Sequence, residues 1–143
     1  MLFICGCWLL GGISCTPQAP PLSPIPELTV LKISPSIVQE FDNGVVLELE
    51  YLDYDGDLGS ENPDTKTLWV LDSRLDSADL YHVPPIAPIG QEVAIRGTFT
   101  VPIKTLFLLG NGQSEDLFFT VKIKDRAGNW SEEESTETIT IQR

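Results

Sequence analysis

Beyond residue 15 the chain contains no cysteine: Cys5, Cys7 and Cys15 are its whole complement. A disulfide framework or thiolate metal site further along is therefore excluded. Histidine is nearly absent too, His82 standing alone. Without a second histidine or a cysteine near it, His82 indicates neither zinc nor a catalytic base, and a surface residue is expected. Basic residues are scarce, 9 Lys and Arg against 21 Asp and Glu, for a net charge of −12. That excludes the basic patch nucleic acid requires and direct adhesion to anionic lipid. No apolar run reaches the length of a membrane-spanning helix, and no stretch carries the 3.6-residue period of an amphipathic helix.

What is present begins with a compositional address. Residues 1–14 are apolar and small, without charge (Leu2, Phe3, Ile4, Trp8, Leu9, Leu10, then Gly11 to Ser14). They read as the core of a signal peptide. Ser14 and Ile13 ahead of Cys15 resemble a bacterial lipoprotein signal, in which the cysteine after cleavage carries the lipid. Cys15 is the expected lipidation site; an ordinary cleaved signal is the alternative. Residues 15–27 are rich in proline and polar residues, a composition that favours extended polyproline II and reads as a tether. At roughly 3.1 Å per residue, it would hold a domain about 30–40 Å from the membrane.

From residue 28 the pattern is that of strands. Residues 28–34 form a short first strand stopped by Pro35. Residues 45–52 alternate, Val45, Leu47, Leu49 and Tyr51 on one face, Glu48 and Glu50 on the other. Further strands are expected over 66–72, 92–101, 117–124 and 136–141, with a weak edge strand at 76–82. Leu117, Phe119, Val121 and Ile123 give the clearest alternation. Turn signals separate the strands: Asp42-Asn43-Gly44, Gly110-Asn111-Gly112 and Asp125 to Asn129. About seven short strands without helix predict an antiparallel β-sandwich of immunoglobulin or fibronectin III type over 28–143. The expected core holds Leu47, Leu49, Trp69, Phe99, Phe119, Val121, Ile123 and Ile139. The threonines of the last strand are expected outside.

The acidic stretch Asp53-Tyr54-Asp55-Gly56-Asp57-Leu58-Gly59 is the chemically unusual one. Like charges on alternate residues repel unless a cation or backbone donors compensate. Against a calcium-loop template with Asp53 at position 1, Asp55, Asp57, Glu61 and Asp64 fall at 3, 5, 9 and 12, all oxygen donors. Leu58 stands where the helix–loop–helix version needs glycine, and strands flank the loop. Two readings stay open: a strand-borne calcium loop, or a solvated turn with Gly56 and Gly59 at positive φ. In a seven-strand sandwich this loop and the Asp125–Asn129 turn share one end. Asp125 and Asn129 are therefore candidate additions to the cation shell, facing the tether.

Other candidates are weaker. Ser114 and Ser131 lack an elbow of glycines or a partner base, so the chain is read as non-catalytic. Trp130 is a weak candidate platform for a sugar ring. Glu132-Glu133-Glu134 reads as a solvated run. Leu106-Phe107-Leu108-Leu109 is either a buried strand end or an exposed edge for a protein partner.

The strand ending in Asp-x-Asp-Gly-Asp-Leu-Gly, with the late Ile123-Lys124-Asp125-Arg126-Ala127-Gly128-Asn129-x-Ser131 and a Thr-rich last strand, resembles a group of single-domain, Ig-like lipoproteins of Bacteroidota-type bacteria. The resemblance implies a lipid-anchored protein of the cell envelope, with the outer membrane as its expected place. It implies no activity. The expected function is thus a membrane-tethered structural or interaction module with an envelope protein partner; a carbohydrate-binding module for envelope glycan is the alternative. The face of the membrane stays open.

Overall fold

The computed structural model describes residues 22–143. The signal segment, Cys15 and the first half of the tether lie outside the described residues. The described chain is all-β, with ten short strands and no helix. They are β1 (Glu27–Ser34), β2 (Ile37–Gln39), β3 (Val45–Asp53), β4 (Leu68–Asp72), β5 (Asp79–Tyr81), β6 (Ile95–Ile103), β7 (Ser114–Leu117), β8 (Phe119–Ile123), β9 (Glu134–Ser135) and β10 (Ile139–Gln142).

One layer is the antiparallel sheet β1-β3-β6. The other is assembled from β5-β4-β8-β9 and β2-β10-β7. These two sheets run on into each other, because β7 and β8 are parted only by Phe118 and β9 is followed closely by β10. Leu117 pairs with Ile139 while Thr120 pairs with Ser135, so the last line carries one residue more than its partner, a bulge. Thr136 fills it: its hydroxyl accepts from Phe119 N at 3.0 Å and its own N–H donates to Phe119 O at 2.8 Å. Thr136 is therefore buried rather than outward as the alternation predicts.

Side chains of the two layers meet in one core. Leu47, Leu49, Leu68, Leu117, Val121, Ile123, Ile139 and Ile141 are buried to 1% exposure or less, with Phe119 beside them. Phe99, expected inside, is only half-buried and packs against the rim of that core. Trp69 corrects the sequence reading outright. It lies on the outer face of β4, half-buried, under the ammonium of Lys122 at 4.6 Å. Leu68, Val70 and Asp72 take the inner positions. The segment Leu-Trp-Val-Leu-Asp carries apolar residues on both faces, so its phase is not set by alternation; pairing with β8 sets it, opposite Ile123 and Val121.

Several strand bounds shift: the expected strand 117–124 is broken at Phe118 into the end of β7 and β8, and β4 and β10 begin later than expected, at Leu68 and Ile139. β6 begins at Ile95 rather than 92, leaving Val93 exposed in the preceding loop. The three-residue β2, unforeseen in the sequence, runs parallel to β10. Leu106 to Leu109 form no strand: Leu106 and Leu108 are buried, Phe107 and Leu109 exposed. Phe107 stacks with exposed Phe41 at 6.3 Å between centroids.

Candidate metal centre

β3 delivers the first carboxylate. Its inward positions run Val45, Leu47, Leu49, Tyr51, Asp53. A charge thus arrives where the period calls for an apolar side chain, and Asp53 is fully buried. The chain then turns through Gly56 at φ 71° and Gly59 at φ 83°. Both need glycine twice over: φ is positive, and a Cβ would strike the carbonyl of Val93 at Gly56 or of Pro84 at Gly59. Between them Leu58 inserts into the core and bridges Asp125. The acidic loop is thereby pinned under the segment 84–93.

The pinning draws three carboxylates together. One oxygen each of Asp53, Asp55 and Asp57 lies within 4.8 Å of the others. Asp53 Oδ2 accepts from Asp57 N at 2.8 Å and Leu58 N at 3.2 Å. The Oδ1 atoms of Asp53, Asp55 and Asp57 are buried and find no hydrogen-bond partner among the described residues. Buried carboxylate oxygens without donors are costly. The cost shows in protonation: burial, then Asp55, then Asp57 push Asp53 up to about 6 from an ordinary 3.8. Asp57 is raised as well, by burial first and then by Asp125 and Asp55, against the opposing pull of the Ala127 N–H and Arg126.

The Asp125–Asn129 turn faces this loop, at the end of the sandwich where the two were expected to meet. Arg126 N donates to Asp57 O at 3.2 Å and Ala127 N to Asp57 Oδ2 at 3.0 Å. The Arg126 guanidinium donates to the carbonyls of Leu58, Gly59 and Gly56. Asp125 is buried, but its oxygens are spent inside its own turn: Asn129 N donates to Oδ1 at 2.7 Å and Asn129 Nδ2 to Oδ2 at 2.8 Å. Asn129 Nδ2 also reaches Pro24 O at 3.4 Å, so the incoming chain meets the turn at this pole. Glu61 and Asp64 stand exposed outside the convergent group. Asp64 N is held by Asn62 Oδ1 at 3.0 Å, a local turn that carries this arm of the loop away from the template.

Three convergent carboxylates with unpaired oxygens form a hard, anionic donor set, suited to calcium, which takes oxygen ligands and tolerates irregular geometry. Asp53, Asp55 and Asp57 are the residues that fit such an ion; water and neighbouring oxygens would complete its shell.

Elsewhere the sequence candidates have structural partners. His82 Nδ1 faces Thr65 O at 3.1 Å. Ser131 Oγ accepts from Ile123 N at 3.0 Å and donates to Glu132 O at 2.9 Å, the same device as Thr136 at a second irregularity of the last line. Ser114 is exposed at the start of β7. Trp130, 38% exposed, has the ammonium groups of Lys124 and Lys122 at 5.2 and 5.6 Å from its ring centre. Glu132 and Glu133 are exposed, and Glu133 pairs with Lys122 at 2.6 Å. Two features escaped the sequence. One is Arg126, hidden inside a turn motif. The other is a cleft of 440 Å³ at the open side between β5 and β6, lined by Tyr51, Tyr81, Phe99, Pro84, Pro85 and Ile86 among others. Comparison with known proteins finds no matching family model, no matching curated protein and no matching solved structure.

Proposed function

We propose that this chain is a non-catalytic, Ig- or fibronectin III-like module of the bacterial cell envelope, tethered by a lipid on Cys15 and stiffened at the tether pole by a bound calcium ion. The observation that carries the cation is the set of buried, unpaired Oδ1 atoms on Asp53, Asp55 and Asp57. A divalent ion supplies the positive charge those oxygens lack, and with the three carboxylates taken up as its ligands a resident cation of this kind is structural. The strand order supports the Ig-like reading: β1, β3 and β6 on one side, β5, β4 and the β7–β8 and β9–β10 lines on the other. The contact of Asn129 with Pro24 O supports a site at the tether junction. The lipid anchor and envelope location rest on the resemblance of the N-terminal segment and of the two loop motifs. A glycan-binding role rests on Trp130 alone, and the flanking lysines account for that ring's position without a sugar.

Titration calorimetry with calcium tests the site: wild type is expected to bind, and Asp55→Ala to bind at least tenfold more weakly, about 1.4 kcal/mol. Wild type that takes up no calcium at millimolar concentration contradicts the proposal. The anchor is tested apart from this by detergent partitioning in the native host. Wild type is expected in the detergent phase and Cys15→Ala in water; aqueous wild type contradicts lipidation.

A further inference from the structure

Arg126 stands across the gap from the acidic loop, yet its guanidinium makes more contacts with that loop than with its own turn. Nη1 donates to Leu58 O and Gly59 O, each at 3.2 Å, and Nη2 to Gly56 O at 3.3 Å. The three carbonyls belong to the stretch that carries Asp57. Asp57 is held twice more from the same turn, its carbonyl by Arg126 N and its Oδ2 by Ala127 N. With Oδ2 so occupied, Oδ1 is the oxygen left buried without a partner. Asp57 therefore keeps one unpaired oxygen in the group it forms with Asp53 and Asp55, and the fork of Arg126 fixes the backbone that carries it.

We infer that Arg126 is a positioning residue of the cation site, an inference that rests on the calcium reading above. It cannot itself be a ligand, because a guanidinium carries no acceptor. Its planar fork matches several acceptors at once, which the point charge of lysine does not. The sign of its effect separates position from charge. A positive charge beside a cation site opposes the ion, so if charge were its whole effect, removing it would tighten binding. Removing a group that orients ligands weakens binding, by about 10–100-fold for outer-shell partners of metal ligands.

The experiment uses the domain with its tether and terbium(III) as probe, with emission sensitised by Tyr54 in the loop. Wild type is compared with Arg126→Lys, which keeps the charge, and Arg126→Gln, which removes it. The main-chain bonds from Arg126 N and Ala127 N to Asp57 survive in both variants, so the two loops stay joined; circular dichroism verifies the fold. Both variants are expected to bind terbium about 10–100-fold more weakly. Emission lifetimes in H2O and D2O are expected to show an additional coordinated water in each, a change that mere loss of stability does not produce. Wild-type affinity and hydration in Arg126→Lys, or tighter binding by Arg126→Gln, overturns the role of Arg126 and leaves the site standing. Wild type that binds no terbium overturns both.

Discussion

Asp53 occupies the position where β3 should end on an apolar side chain, and that single exchange shapes the chemistry of the pole. Its carboxyl is raised to about 6 from 3.8, chiefly by burial. A raised folded-state value means that protonation favours the folded chain. The associated stability is fully present below the ordinary value and is lost as pH rises through about 6. In chelator, the melting midpoint of wild type is therefore expected to fall between about pH 4 and 6 more steeply than that of Asp53→Asn. With calcium the slope of wild type is expected to shrink or reverse, because the ion binds the ionised carboxylates. Equal slopes for both proteins in chelator would show that Asp53 is not held in the burdened state described. At this scale the sequence was informative about which residues are acidic and uninformative about their partners. Asp125 and Asp53 look alike in the chain, yet one has its oxygens satisfied within its own turn and the other does not. A lone arginine in a turn carries no pattern, so the role of Arg126 appears only when three carbonyls from a distant loop surround it.

Among the elements, strands with clean alternation were legible and strands without it were not. β3 and β8 lie where their period puts them, with Leu47, Leu49, Phe119, Val121 and Ile123 inside. β4 is apolar on both faces, and only the expected immunoglobulin-type sandwich assigns its tryptophan to the core. Its neighbours decide otherwise, with Lys122 over the ring. β2 is three residues long and exists through its parallel pairing with β10, a non-local bond that no local pattern announces. The contrast between faces is measurable. Phe119→Ala is expected to cost about 3–5 kcal/mol in denaturant unfolding, the range for a buried aromatic. Trp69→Ala is expected to cost about 1 kcal/mol, the scale of a surface cation–π pair. A loss at Trp69 as large as that at Phe119 would return the ring to the core and invert the phase of β4.

Taken whole, the molecule is polarised along the sandwich. One pole carries the three carboxylates, the clasp between the 53–59 loop and the 125–129 turn, and the arriving chain at Pro24. The opposite pole is held by Arg74, which pairs with Asp72 at 2.7 Å and Glu115 at 2.8 Å, and exposes the Phe41–Phe107 stack. That the acidic loop and the Gly-Asn turn share a pole was legible from strand counting alone, since antiparallel order fixes which loops lie at each end. An ion binding only the folded state stabilises it by mass action, about 2.7 kcal/mol at a hundred times Kd. For a domain of this size that corresponds to a rise in midpoint on the order of 10 °C. The most direct test of a cation-stiffened pole is the melting curve of the wild-type domain at neutral pH in millimolar calcium and in chelator. A clear rise with calcium that Asp55→Ala lacks is the expected result; superimposable wild-type curves would mean that the three carboxylates form a strained turn and nothing more.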